Sequence, residues 1–166
     1  MFRIALFLFA LSVMSVAALA QAANIALGSG DFDTSLAVEV SADQLSVHQS
    51  TGKAVFDGNV LIVQGEVRIS AGTVTIEYSN DPDAKNGVSR LLATGGVTFV
   101  TSADAAEAQS AVYSVEDGTV TLSGDVLLTQ GQSAIAGDRL VMNLGDGNGR
   151  MEGRVRTVFT PSNGQN

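Results

Sequence analysis

The chain has 166 residues, no cysteine, a single histidine (His48), nine lysines and arginines against seventeen aspartates and glutamates, and a formal charge of −8. Such acidity argues against a nucleic-acid binder, whose affinity comes from neutralising phosphates with Lys and Arg. Without cysteine there is no disulfide framework, and with one histidine there is little from which to build a nucleophilic triad or a zinc site, so no enzyme chemistry, metal or cofactor is expected.

At the N-terminus, Arg3, the apolar run Ile4 to Leu19 and the small-residue site Ala18-Leu19-Ala20 read as a secretory signal peptide over residues 1–20, cleaved before Gln21. Residues 21–35, rich in Gly, Ser and Asp, read as a flexible lead-in. A single domain is expected over 36–160, followed by a short tail at 161–166. No later apolar run approaches membrane-spanning length, so the exported chain is expected to be soluble.

Within the domain, short segments alternate apolar and polar residues with the period of two that marks strands. Leu36 to Val40 and Asp43 to His48 open the series. Val60 and Ile62 share a face, as do Val67 and Ile69, and then Val74, Ile76 and Tyr78. Gly87 to Ala93, Val97 to Phe99, Val112 to Val115, Thr119 to Leu122, Asp125 to Thr129, Ser133 to Ala136, Arg139 to Leu144 and Val155 to Phe159 continue it. Ala103 to Ala111 (ADAAEAQSA) is compatible with a helix, but its place in the repeat assigns it as strand.

That repeat is the clearest long-range signal. DGNVLIVQGEVRISAGTVTIEY begins at Asp57, TGGVTFVTSADAAEAQSAVYS at Thr94 and SGDVLLTQGQSAIAGDRLVMN at Ser123. The anchoring glycines are Gly58, Gly96 and Gly124, with a partial fourth copy at Gly153. Successive steps are 38, 28 and 29 residues, and the long first step accommodates an inserted loop at Ser79 to Asn86. Repeated two-strand units imply stacked β layers, since one unit cannot bury its own apolar face. An all-β jellyroll or solenoid of a dozen or more short strands follows.

The segments VEVSADQLSVHQSTGKAVFDGNVLIVQGEVRISAGTVTIEY, ATGGVTF and GDVLLTQGQSAIAGDRLVMNL together resemble the OstA-like family of periplasmic lipopolysaccharide-transport bridge proteins, from Val38 to about Val158. The resemblance implies a twisted, open β-jellyroll whose apolar interior takes lipid A acyl chains and which stacks head to tail between the two membranes. On that reading the lipid-facing set is Val38, Val40, Val60, Ile62, Ile69, Val74, Ile76, Val97, Phe99, Val126, Leu128, Leu140 and Met142. Partner-binding edges would be Leu36, Val38 and Val40 at one end and Val155, Thr157 and Phe159 at the other. Lipopolysaccharide, an inner-membrane complex and an outer-membrane translocon are the implied partners, with self-association through the same edges. Low aromatic content and no tryptophan suit an interior with room for guests.

Other readings stay open at this point. A membrane-anchored inner-membrane partner of the same system would retain its N-terminal apolar segment. A translocon domain would continue into a long barrel beyond Phe159. A β-solenoid polysaccharide-degrading enzyme would need a catalytic cluster along one face. The carboxylate pairs Asp31/Asp33 and Asp81/Asp83 and the stretch Asp146-Gly147-Asn148-Gly149 read as solvated loops and a turn. Arg150, Arg154 and Arg156 form the one local cationic cluster, suited to lipid phosphates, an acidic partner edge or simple protection of an exposed edge.

Overall fold

The computed structural model describes residues 23–26, 37–79, 87–102 and 104–158. Their alternating apolar pattern forms eleven strands and no helix: β1 (Ala23–Ala26), β2 (Glu39–Ser41), β3 (Gln44–His48), β4 (Lys53–Gln64), β5 (Val67–Tyr78), β6 (Val88–Val100), β7 (Asp104–Ser114), β8 (Thr119–Gln130), β9 (Ser133–Asn143), β10 (Asn148–Glu152) and β11 (Arg156–Val158). They make one open antiparallel sheet in the order β1-β10-β9-β8-β7-β6-β5-β4-β2, with β3 also on β4 and β11 also on β9.

The strands from β4 to β9 are fewer and longer than the sequence pattern suggests. Pairs of expected short strands fuse: the segments on either side of Gly58 form β4, those around Gly95-Gly96 form β6, and those around Gly124 form β8. The alanine-rich window lies in β7, so pairing on both sides overrides its helix-compatible composition. Residues 23–26, inside the expected lead-in, form β1 and pair with β10.

The glycines that appear to end strands instead make bulges. Gly58-Asn59, Gly95-Gly96, Gly124-Asp125 and Gly153-Arg154 each have two consecutive positive φ values. At the first three, the register shifts by an extra residue and pairing resumes beyond it. A bulge bends its strand and adds twist. The three bulges and the Gly153-Arg154 step between β10 and β11 line up as a crease across the strands. On the intervening strands β5, β7 and β9 the crease passes Gly72, Gln109 and Asp138, and beside β4 it passes Asp43. A Cβ on Gly95 would sit 3.1 Å from the Gly72 Cα, so the backbones touch here only because both residues are glycine.

Side chains tie the crease. Asn59 Nδ2 donates to Asp43 Oδ2 at 2.8 Å, Gln109 Nε2 to Asp125 Oδ2 at 2.8 Å, and the Arg154 guanidinium pairs with Asp138, Nη2 to Oδ1, at 2.6 Å. Backbone N–H groups of Asp43 and Asp138 donate to the Gly58 and Gly153 carbonyls. The crease divides each long strand into two arms that face each other. The larger core cluster accordingly draws Ala106, Val126, Leu128 and Ile135 from one arm and Leu122, Leu140, Met142 and Met151 from the other.

Candidate functional site

Residues directly opposite on neighbouring strands share a face of the sheet. The register therefore resolves the interior into continuous rows. On one arm Val40, Ile62, Ile69, Phe99, Ala106, Leu128, Ile135 and Thr157 pair in unbroken succession from β2 to β11. On the facing arm one row runs Leu45, Phe56, Val74, Ala93, Ala111, Leu122, Leu140, Met151. A second row there runs Val47, Ala54, Ile76, Leu91, Tyr113, Val120, Met142, Gly149. These rows line a trough whose long axis crosses the strands.

Burial along the trough is graded. Leu122, Leu128, Leu140, Met142 and Met151 are almost wholly inaccessible, so the end beneath β8 to β10 is a dry core. Towards β2 and β3 the same rows open. Val40, Phe56, Ile62, Ile69 and Ile76 are only half-buried, and Leu45 and Val47 are 55% and 63% exposed. Both rows of the second arm thus end in bare aliphatic side chains at a mouth formed by the N-terminal edge. No buried polar or charged residue interrupts the interior among the described residues.

Twelve of the thirteen lipid-facing candidates lie on or beside these rows. Val60, Val74, Val97, Val126, Leu128, Leu140 and Met142 are buried, and Val40, Ile62, Ile69, Ile76 and Phe99 are half-buried. Val38 stands apart: it precedes β2 and is 55% exposed. Sequence reasoning missed Leu45, Val47, Phe56, Leu122, Ile135 and Met151. Phe56 had a signal, since it sits two residues from Ala54 on a period-two strand whose inward face was left unassigned. Met151 had none, because the step into it follows a turn at 145–147.

Of the edge candidates, Val40 lies in β2 and Thr157 in β11. Val155 precedes β11 and packs on the C-terminal core. Leu36 and Phe159 lie outside the described residues, as do the signal segment, the loop at 80–86 and the tail.

The outer face carries paired charges beside the exposed side chains of Leu61, Leu92 and Leu127. Lys53, Glu77 and Arg90 are register neighbours on β4, β5 and β6. Lys53 Nζ lies 2.7 Å and Arg90 Nη2 2.6 Å from the Glu77 carboxylate. Their hydrogen bonds hold the Glu77 carboxyl below the usual carboxylate range. Arg154 does the same for Asp138. The Asp146 carboxylate accepts the Asn148 N–H at 2.9 Å, which depresses its pKa and makes the 143–148 stretch a self-contained turn. Of the arginine cluster, Arg154 is thus committed to Asp138, whereas Arg150 and Arg156 make no ion pair among the described residues. A shallow groove beside the crease, lined by Asp125, Leu127, Asp138, Arg154 and Arg156 among others, is the polar counterpart of the trough.

The described residues thus form an apolar trough that is open at the β2/β3 edge and closed beneath β8 to β10. The chain is 25% identical over 158 residues to an uncharacterized protein of Rhizobium meliloti (strain 1021), covering 90% of this chain and 85% of that one. Its fold is similar to the crystal structure of LptH, the LptA-homologous periplasmic component of the lipopolysaccharide-transport device of Pseudomonas aeruginosa. The TM-score is 0.67 at 20% identity, over 78% of this chain and 99% of that one. The family model for LptA/(LptD N-terminal domain) LPS transport proteins matches residues 39–148, the span from the first strand of the mouth to the strand that closes the core, so this chain belongs to that family of transport components and is not an enzyme.

Proposed function

We propose that the protein is exported to the periplasm, holds the acyl chains of lipopolysaccharide in its trough, and bridges inner- and outer-membrane complexes through its sheet edges. An acyl chain costs about 0.8 kcal/mol per methylene exposed to water, on the order of 10 kcal/mol for a chain of about a dozen carbons. Transfer across an aqueous space therefore requires continuous apolar shelter. The observation that carries this reading is the graded burial of the rows. Val40, Leu45, Val47, Phe56, Ile62 and Ile76 are inward-facing in register yet remain accessible. They form the acyl-chain site, and Ile69 and Phe99 continue it inwards. Val126, Leu128, Leu140 and Met142 form the closed floor that supports it.

Edge strands provide the joining surfaces. β2 and β3 end the sheet at the mouth, and β11 ends one arm at the other side. Unpaired backbone groups there suit β-augmentation by a partner strand.

The test is a matched pair of variants. Ile62→Asp places a charge in the trough, whereas Leu61→Asp places it on the outer face one residue away, where Leu61 is already 38% exposed. Photocrosslinking to lipopolysaccharide from a probe at position 76 should fall at least tenfold in the first and stay near wild type in the second. Equal labelling in both variants would refute an interior site.

A further inference from the structure

β1 occupies the place that end-to-end joining requires. Its four residues pair antiparallel with β10, in the register Ala23 with Met151, Asn24 with Arg150, Ile25 with Gly149 and Ala26 with Asn148. It thereby covers the outer edge of β10, while the edge of β11 on the other arm stays open.

The crease identifies what else fits that edge. Strand β2, the crease residue Asp43 and strand β3 have the layout of β5, β7 and β9, which pass the crease at Gly72, Gln109 and Asp138. Strand β10, the positive-φ pair Gly153-Arg154 and strand β11 have the layout of β4, β6 and β8, with theirs at 58–59, 95–96 and 124–125. The two layouts alternate through the molecule, so the strand pattern that would follow β10 and β11 is that of β2 and β3. A second copy supplies it with antiparallel polarity and both arms matched. Charge agrees: among the described residues Arg150 and Arg156 have no ion-pair partner on the receiving rim, and Glu39 has none on the incoming one.

Reach gives β1 a reason to leave. It sits at one end of the sheet, and β2, the next described strand, at the other, eight strand spacings away or about 38 Å at 4.8 Å each if the sheet were flat. Thirteen residue steps from Ala26 to Glu39 span at most about 45 Å. Seating β1 on its own β10 therefore uses most of the reach available between Ala26 and Glu39, and release of β1 lifts that limit.

We infer that β1 is a removable cover: in the isolated chain it occupies the β10 edge, and it yields that edge to β3 of the next copy when copies join in file. The inference rests on the end-to-end reading above. While seated, β1 keeps a sticky edge from pairing with wrong partners, as edge protection does elsewhere. Because joining requires its displacement, association is slower and weaker than the bare rim would allow.

The chain has no cysteine, so Asn24→Cys with Arg150→Cys introduces a single possible disulfide between register partners. The exported protein carrying both changes would be analysed by size exclusion with light scattering, oxidised and reduced, beside a variant lacking residues 21–36. The cover predicts an intrachain disulfide at dilute concentration, located by peptide mass mapping. It also predicts that the oxidised form stays monomeric where the reduced form associates, and that the deletion lowers the half-association concentration at least tenfold. Equal association of oxidised and reduced protein, an unchanged midpoint in the deletion, or a disulfide formed only between chains would overturn it. If neither wild type nor the deletion associates at any accessible concentration, the end-to-end reading fails together with the cover. Association that ignores the lock removes the cover alone. Lipid uptake by the locked monomer, expected unchanged, reports separately on the trough.

Discussion

At the residue scale, the fold depends on a few positions where the backbone leaves the ordinary β region. Gly95 is constrained by backbone on both counts, with φ of +82° and the Gly72 backbone directly against it. Gly131 also has positive φ, but nothing lies within 4 Å of where its Cβ would be. Gly131→Ala should therefore cost about 1–2 kcal/mol, the penalty of the left-handed conformation alone. Gly95→Ala should cost measurably more, because β5 and β6 must also separate; urea unfolding midpoints compare the two. Asn59 and Asp125 tolerate positive φ as their residue types usually do, while Arg154 is held there by its bidentate contact with Asp138.

Charge acts at this scale too. Glu77, Asp138 and Asp146 all titrate below their ordinary values in the folded chain. A depressed carboxylate pKa contributes stability that is present above the unfolded value, near pH 4, and is lost as pH falls through the folded value. Thermal midpoints should thus be level from about pH 7 to 5 and fall below about pH 4. Glu77→Gln should lower the midpoint at neutral pH and flatten its acid-side slope; an unchanged slope would show that the Lys53–Glu77–Arg90 row contributes nothing to pH dependence.

At the element scale, the two ends of the sheet differ in kind. The mouth is a pair of short strands, β2 and β3, carrying exposed Leu45 and Val47. The opposite end is a short strand, β11, preceded by Val155, which is packed into the core. Truncation after Val155 removes β11 while sparing that packing. It should reduce self-association more than lipopolysaccharide uptake, because β11 contributes an edge and only Thr157 to the inward rows. Size-exclusion profiles that do not change on truncation would mean that this arm's edge is unused.

At the scale of the whole molecule, the two ends of one trough differ in burial, and the proposed acyl-chain site lies at the less buried end. Leu140 is fully buried, and Leu140→Ala should destabilise by about 2–5 kcal/mol with lipid uptake retained in the folded fraction. Ile62 is half-buried near the mouth, so Ile62→Ala should cost less in stability and more in lipid retention. Denaturant unfolding and lipid pull-down on the same two proteins would show the crossed pattern.

Much of this was legible in the linear chain. Period-two alternation located strand segments from β2 to β6 and in β8 and β9, the place in the repeat assigned the alanine-rich part of β7, and the recurring Gly-Asn, Gly-Gly and Gly-Asp steps marked where the repeat turns over. The same alternation put Ile62, Ile69, Ile76 and Leu128 on inward faces, because an extended chain sends successive side chains to opposite sides whatever it packs against. What those glycines do was decided only by the folded sheet. A residue with positive φ can end a strand or bulge it, and the choice depends on whether neighbouring strands keep pairing beyond it. Burial was likewise tertiary: Val40 and Met142 have the same local pattern, yet one lies half-buried at a mouth and the other is buried in the larger core cluster. The pairing of β1 with β10, on strands more than a hundred residues apart, has no local signature, since hydrogen bonds between distant edges depend on how the whole sheet bends.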